Sequence, residues 1–98
     1  MPETLTPDDF SSLTGPLTLE ARDAGALVPV ELTVESVRPL PPHRLRAAPF
    51  SLILRGPRSP MVPQAIYALR HPSLGVIELF LVPVGQDATA TRYEATFN

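Results

Sequence analysis

The stretch FSLILRGPRSPMVPQAIYALRHPSLG, Phe50 to Gly75, decides the reading of this chain. Phe50, Leu52 and Leu54 alternate with Ser51, Ile53 and Arg55. Arg55-Gly56-Pro57 then reads as a turn, and Pro60 and Pro63 stiffen the return. A second alternation follows, with Ala65, Tyr67 and Leu69 on one side and Ile66, Ala68 and Arg70 on the other. His71-Pro72-Ser73-Leu74-Gly75 is a short hairpin connection, with a glycine free to take positive φ. A period of two places alternate side chains on opposite faces of a strand, so this stretch predicts two antiparallel strands with one face toward a core.

The same period extends outward in both directions. Leu17, Leu19 and Ala21 share a face, as do Val28, Val30, Leu32 and Val34, and then Tyr93, Ala95 and Phe97. Asp23-Ala24-Gly25 separates the first two strands, and Gly85-Gln86-Asp87 opens the loop before the last. Val76 to Val84 is apolar on both faces apart from Glu78, which predicts the most buried strand. Pro29 and Pro83 each remove a ladder donor and so predict an edge or a bulge. Before the strands, Thr6-Pro7-Asp8-Asp9 has the chemistry of a helix start, and Phe10 and Leu13 would pin that short helix to the domain. Tyr67, Phe80, Tyr93 and Phe97 are the expected aromatic core. The fold expected for residues 1–98 is one all-β domain: a small antiparallel β-sandwich or partly open barrel of about six strands, with one short N-terminal helix.

Composition narrows the function classes. The chain has 98 residues, 44 % hydrophobic and 18 % charged, with no cysteine. Disulfides, thiolate metal sites and cysteine nucleophiles are therefore excluded. The acidic start lacks the basic and apolar regions of a secretory leader, and no apolar run approaches the ~20 residues of a membrane helix. The expected location is the cytoplasm, or a particle assembled there. His43 and His71 are the only histidines. Neither lies in a nucleophile–base pattern, no serine sits in a G-x-S-x-G elbow, and no acidic cluster has ligand spacing. The expectation is a protein that is not an enzyme and takes no cofactor or metal.

Charge is unevenly placed. Residues 1–37 carry seven acids and one arginine, residues 38–77 six arginines and no acid, and residues 78–98 three acids and one arginine. The basic middle contains the proline-rich crossing RPLPPHRLRAA, residues 38–48, which favours extended polyproline geometry. Without lysine or interleaved aromatics, this pattern points to internal Arg–Glu pairs or an acidic protein partner before nucleic acid. The candidate contact patch is Arg44, Arg46, Arg55 and Arg58 with exposed Met61 and Val62, since arginine and methionine are enriched in interface cores. A merely solvated loop is the alternative.

Residues 49–98 resemble a family of small bacterial proteins of about a hundred residues, known as a domain of unknown function. The shared pattern is a Phe-Ser-Leu strand at Phe50, an Arg-Gly-Pro turn at Arg55, Pro63-Gln64 with Tyr67, and His71-Pro72 with Leu74-Gly75. It continues as Leu79-Phe80-Leu81-Val82-Pro83-Val84-Gly85 and ends at Tyr93-Glu94-Ala95 with Phe97-Asn98. The first half is similar only in pattern, through Phe10 and Leu13 and through Leu32, Val34 and Val37. The resemblance brings no catalytic residues. It implies an association with phage-tail-collar-like proteins, and hence a structural or assembly role in a tail-like or fibre-like particle with a collar- or fibre-like protein as partner. From the residues, two readings stand: a non-enzymatic protein-binding or assembly module, and a barrel that binds a small ligand or anion with arginines at its mouth.

Overall fold

A computed structural model describes residues 7–41 and 49–97. One short helix, α1 (Pro7–Ser11), precedes six strands: β1 (Leu17–Asp23), β2 (Ala26–Pro39), β3 (Phe50–Pro57), β4 (Ala65–His71), β5 (Gly75–Gln86) and β6 (Ala90–Phe97). They close an antiparallel barrel in the order β1-β2-β3-β6-β5-β4. Consecutive strands form two meanders, β1-β2-β3 and β4-β5-β6, joined by β3 against β6 and by β1 against β4.

β2 and β5 make the closure possible. Residues 26–32 of β2 pair with β1, and its remaining residues pair with β3. Residues 75–81 of β5 pair with β4, and its remaining residues pair with β6. Each strand changes partner near a register shift, at Val34/Ser36 in β2 and Pro83/Gly85 in β5. A bulge bends and twists its strand, which is how a small sheet turns a corner. Pro83 thus marks a bulge, and Pro29 lies where β2 has a partner on one side only, as their missing amides require. The β1–β4 seam is thin: Thr18 opposite Arg70 is its ladder pair, and Arg70 reaches Glu20 of β1 at 3.0 Å.

The core follows the alternation. Leu17 and Leu19 of β1, Val30 and Leu32 of β2, and Leu52 and Leu54 of β3 point inward with Leu69, Ile77, Leu79, Leu81 and Tyr93. At one end Phe10 of α1 is buried against Phe50 and Phe97, whose rings stack at 4.5 Å. Packing of Phe10 and Leu13 therefore holds a helix of only five residues, far too short to persist alone. The Thr6 cap lies outside the described residues.

Three sequence expectations need correction. β5 is not the most buried strand: Ile77, Leu79 and Leu81 point inward, while Val76 (61 %), Phe80 (49 %) and Val84 (53 %) are exposed. In a small closed barrel every strand has an outer face, so apolar content on both faces does not imply burial on both. Phe80 is accordingly no core residue and Tyr67 is only partly buried; Phe10 and Phe50 take their place. Finally, Arg55-Gly56-Pro57 is not a turn, because β3 runs through Pro57 with Gly56 paired to Thr91. Gly56 is there for space: a Cβ would lie 2.5 Å from Leu32 Cδ2 and 3.4 Å from Tyr93 Cε1.

Candidate functional site

The basic residues singled out from the sequence do not converge. Arg44 and Arg46 lie outside the described residues. Arg55 and Arg58 sit at the end of β3, beside the β5–β6 turn. Arg58 Nε donates to the Asp87 carbonyl at 2.9 Å, and Arg55 Nη2 donates to Thr89 Oγ1 at 3.3 Å. Met61 is 51 % exposed, but Val62 is only 2 % exposed, which corrects its assignment to an exposed patch. The Val62 amide donates to the Tyr93 hydroxyl at 2.9 Å, so the backbone of the returning segment is drawn into the barrel. Met61 instead lines a groove of about 260 Å³ with Glu20, Arg22, Pro63 and Tyr67, beside the thin seam.

The arginine end is a braced turn. Asp87 Oδ1 accepts from the Thr89 amide (2.8 Å), the Thr89 hydroxyl (3.0 Å) and the Ala90 amide (2.9 Å), a local turn that aspartate forms readily. Its other oxygen takes Arg92 Nη1 at 2.5 Å. Arg92 also grips Glu35 with two bonds, Nε–Oε1 at 2.8 Å and Nη2–Oε2 at 3.0 Å, the geometry in which a guanidinium holds a carboxylate best. Glu35 is the residue at the β2 bulge, so one arginine of β6 ties that bulge to the turn that follows β5. Gln86 Nε2 donates to the Arg58 carbonyl and to Thr91 Oγ1, both at 2.8 Å. The Thr89 amide and the Arg92 guanidinium hold the Asp87 carboxyl well below the usual carboxylate range. Arg92 likewise lowers Glu35 and is itself raised by the two acids.

His71 is also accounted for internally. Its Nδ1 accepts the Ser73 amide at 3.0 Å, so the ring proton belongs on Nε2, which donates to the Thr14 carbonyl at 2.9 Å. This buried ring ties the segment after α1 to the β4–β5 turn. No nucleophile faces it in these bonds, and no group of three His, Asp or Glu side chains among the described residues is arranged to hold a metal ion. No helix among them is long and apolar enough to cross a membrane.

What remains uncovered on the outer face of β4 and β5 is its apolar part, since Arg70 of that face is paired with Glu20. Ile66 (67 % exposed) stands directly opposite Phe80, with Ala68 opposite Glu78 and Arg70 opposite Val76. Cross-strand apolar pairs of this kind stabilise the sheet itself. This face is not legible in the sequence: alternation with Tyr67 and Leu69 places Ile66 outward, but the apolar run Val76 to Val84 predicts burial on both faces of β5 and so hides its neighbour Phe80. The Arg92 brace was missed because Glu35 and Arg92 are 57 residues apart; the Asp87-to-Thr89 spacing was its one local signal.

The model of the family described as Domain of unknown function (DUF6916) matches residues 5–97, nearly the whole chain. The chain belongs to the DUF6916 family. No curated protein and no solved structure matches it. The DUF6916 barrel carries its polar network at one end and an exposed apolar pair, Ile66 and Phe80, on the outer wall.

Proposed function

We propose that this DUF6916 protein is a non-enzymatic protein-binding module that serves as a structural or assembly component, in a tail-like or fibre-like particle with a collar- or fibre-like protein as its partner. One observation supports the protein-binding part of this reading: the inward side chains from Leu17 to Ala95 form one buried cluster, while Ile66 and Phe80 stand exposed and opposite each other on the outer wall. The particle role and its collar- or fibre-like partner rest on the resemblance of residues 49–98 alone. A ligand-binding barrel needs a lined cavity with convergent polar groups. Here Arg55 and Arg58 are engaged with the chain's own Thr89 and Asp87, which weakens the reading of an anion site at a barrel mouth.

The test pairs two measurements on the intact protein. Affinity capture from extracts of the producing cell is expected to retain a specific protein, and a collar- or fibre-like protein among those retained supports the particle role. Phosphate, sulfate and citrate are expected to leave the thermal midpoint unchanged. A midpoint raised by one of these anions, with no protein retained, would replace this reading with the anion-binding barrel.

A further inference from the structure

The outer wall also carries charge, and the charge selects a partner. Glu20, Glu35 and Asp87 are all held by arginines of the same chain. Glu78 and Glu94 have no ion pair or side-chain hydrogen bond among the described residues, and both border the apolar pair. Along β5, Val76, Glu78, Phe80 and Val82 share the outer face, since Ile77, Leu79 and Leu81 point inward. Ile66 lies beside Phe80 on β4, and Glu94 lies beside Val82 on β6. The face therefore reads, along the strand and across, as Val76 with Arg70, then Glu78 with Ala68, then Phe80 with Ile66, then Val82 with Glu94, and Arg70 is already paired with Glu20. The two carboxylates are separated by four residues of strand, about 13 Å, and one strand spacing.

We infer that this face docks a partner segment with an apolar centre flanked by arginine or lysine. The inference rests on the protein-binding reading and names the surface and the chemistry. Three physical reasons support it. Ile66 and Phe80 are large apolar side chains, 67 % and 49 % exposed, that stand directly opposite each other with no cover from the described residues, so a partner's apolar group would remove both from water. Covering them brings the partner's flanks against two carboxylates already free to pair, so a cationic rim is attracted and an anionic one repelled. A second copy of this chain docked face to face would bring these acids near their own counterparts, which disfavours self-association through this surface.

The probe is an extended peptide with leucine between two arginines four residues apart on one face, compared with the same peptide bearing glutamates. Binding to the intact protein is read by fluorescence anisotropy. The arginine peptide is expected to bind at least about tenfold more tightly than the glutamate peptide, a preference that shrinks with added salt. Glu78→Gln with Glu94→Gln is expected to remove the preference, and Phe80→Ser with Ile66→Ser to remove binding, in variants that keep the wild-type thermal transition. Because all four side chains point outward, these variants are expected to fold. Equal binding of both peptides, binding that survives Phe80→Ser with Ile66→Ser, or no saturation by about 1 mM would overturn the inference. A dimer in sedimentation equilibrium that Phe80→Ser dissolves would also overturn it, making the occupant a second copy. If a protein is captured from cell extract but neither peptide binds, the docking chemistry fails and the protein-binding reading stands. If no protein is captured either, both fall.

Discussion

The backbone amide of Val62 donates to the hydroxyl of Tyr93 at 2.9 Å, with both residues inside the barrel. The segment between β3 and β4 is thus fastened to β6 through a buried side chain, at the end of a loop whose prolines supply no amides. Tyr93→Phe keeps the ring and leaves the Val62 amide buried without its acceptor. The expected cost is about 1–3 kcal/mol by urea denaturation. Tyr67→Phe removes a bond from a more exposed hydroxyl to the Pro63 carbonyl and is expected to cost less. Equal costs would mean that the Val62 bond has no special weight.

Gly56 gives a second, sharper case. A methyl there meets Leu32 Cδ2 at 2.5 Å, and Leu32 is fully buried and has little room to move aside. Gly56→Ala is expected to destabilise by about 1–3 kcal/mol through overpacking. Shortening the neighbour in Gly56→Ala/Leu32→Val is expected to restore part of the loss, giving a non-additive double-mutant cycle. Strict additivity would contradict a clash between these two side chains.

The β1–β2 turn contains a strained residue. Ala24 has φ of 52° and Gly25 has φ of 82°, the left-handed pair of a tight hairpin. Asparagine tolerates this region better than alanine does, so Ala24→Asn is expected to stabilise by up to about 1 kcal/mol. A thermal midpoint raised by a few degrees would bear this out, and an unchanged or lowered midpoint would count against it.

Acid is expected to act on the braced turn. Glu35 and Asp87 titrate lower in the folded chain than when unfolded, chiefly through Arg92 and the Thr89 amide respectively. Below ordinary carboxylate values the unfolded state then binds more protons than the folded one. Their stabilisation is present above about pH 4 and is lost as pH falls through the depressed folded values. The thermal midpoint of the wild type is expected to fall over that range, and that of Glu35→Gln with Asp87→Asn to fall less steeply. Equal slopes would mean that the brace adds nothing pH-dependent.

These tests also indicate where the sequence was informative. Leu17/Leu19/Ala21 and Phe50/Leu52/Leu54 announce their inner faces because period two is local, and Pro83 announces its bulge because a missing amide is local. β5 misled because Val76, Phe80 and Val84 look identical to core residues until closure assigns them an outer face. Gly56 read as a turn because the contact that requires it comes from Leu32, which is distant in sequence. The charge blocks predict pairing of the basic middle with the acidic thirds, or an acidic partner; Arg70–Glu20 is a pair of the first kind, whereas Arg92–Glu35 joins the last third to the first. Which arginines would be consumed depended on barrel closure, and so did the engagement of Arg55 and Arg58 at the turn.

The central claim is that the arginine end braces the fold while the outer wall of β4 and β5 meets the partner. The most direct measurement compares Arg55→Glu/Arg58→Glu with Ile66→Ser/Phe80→Ser, reading thermal midpoint and retention of the captured partner for each. The account expects the arginine pair to lower the midpoint by a few degrees and keep the partner, and the apolar pair to keep the midpoint and lose the partner. The reverse pattern, with the partner lost only by the arginine variant at an unchanged midpoint, would contradict it and make the arginine end the contact.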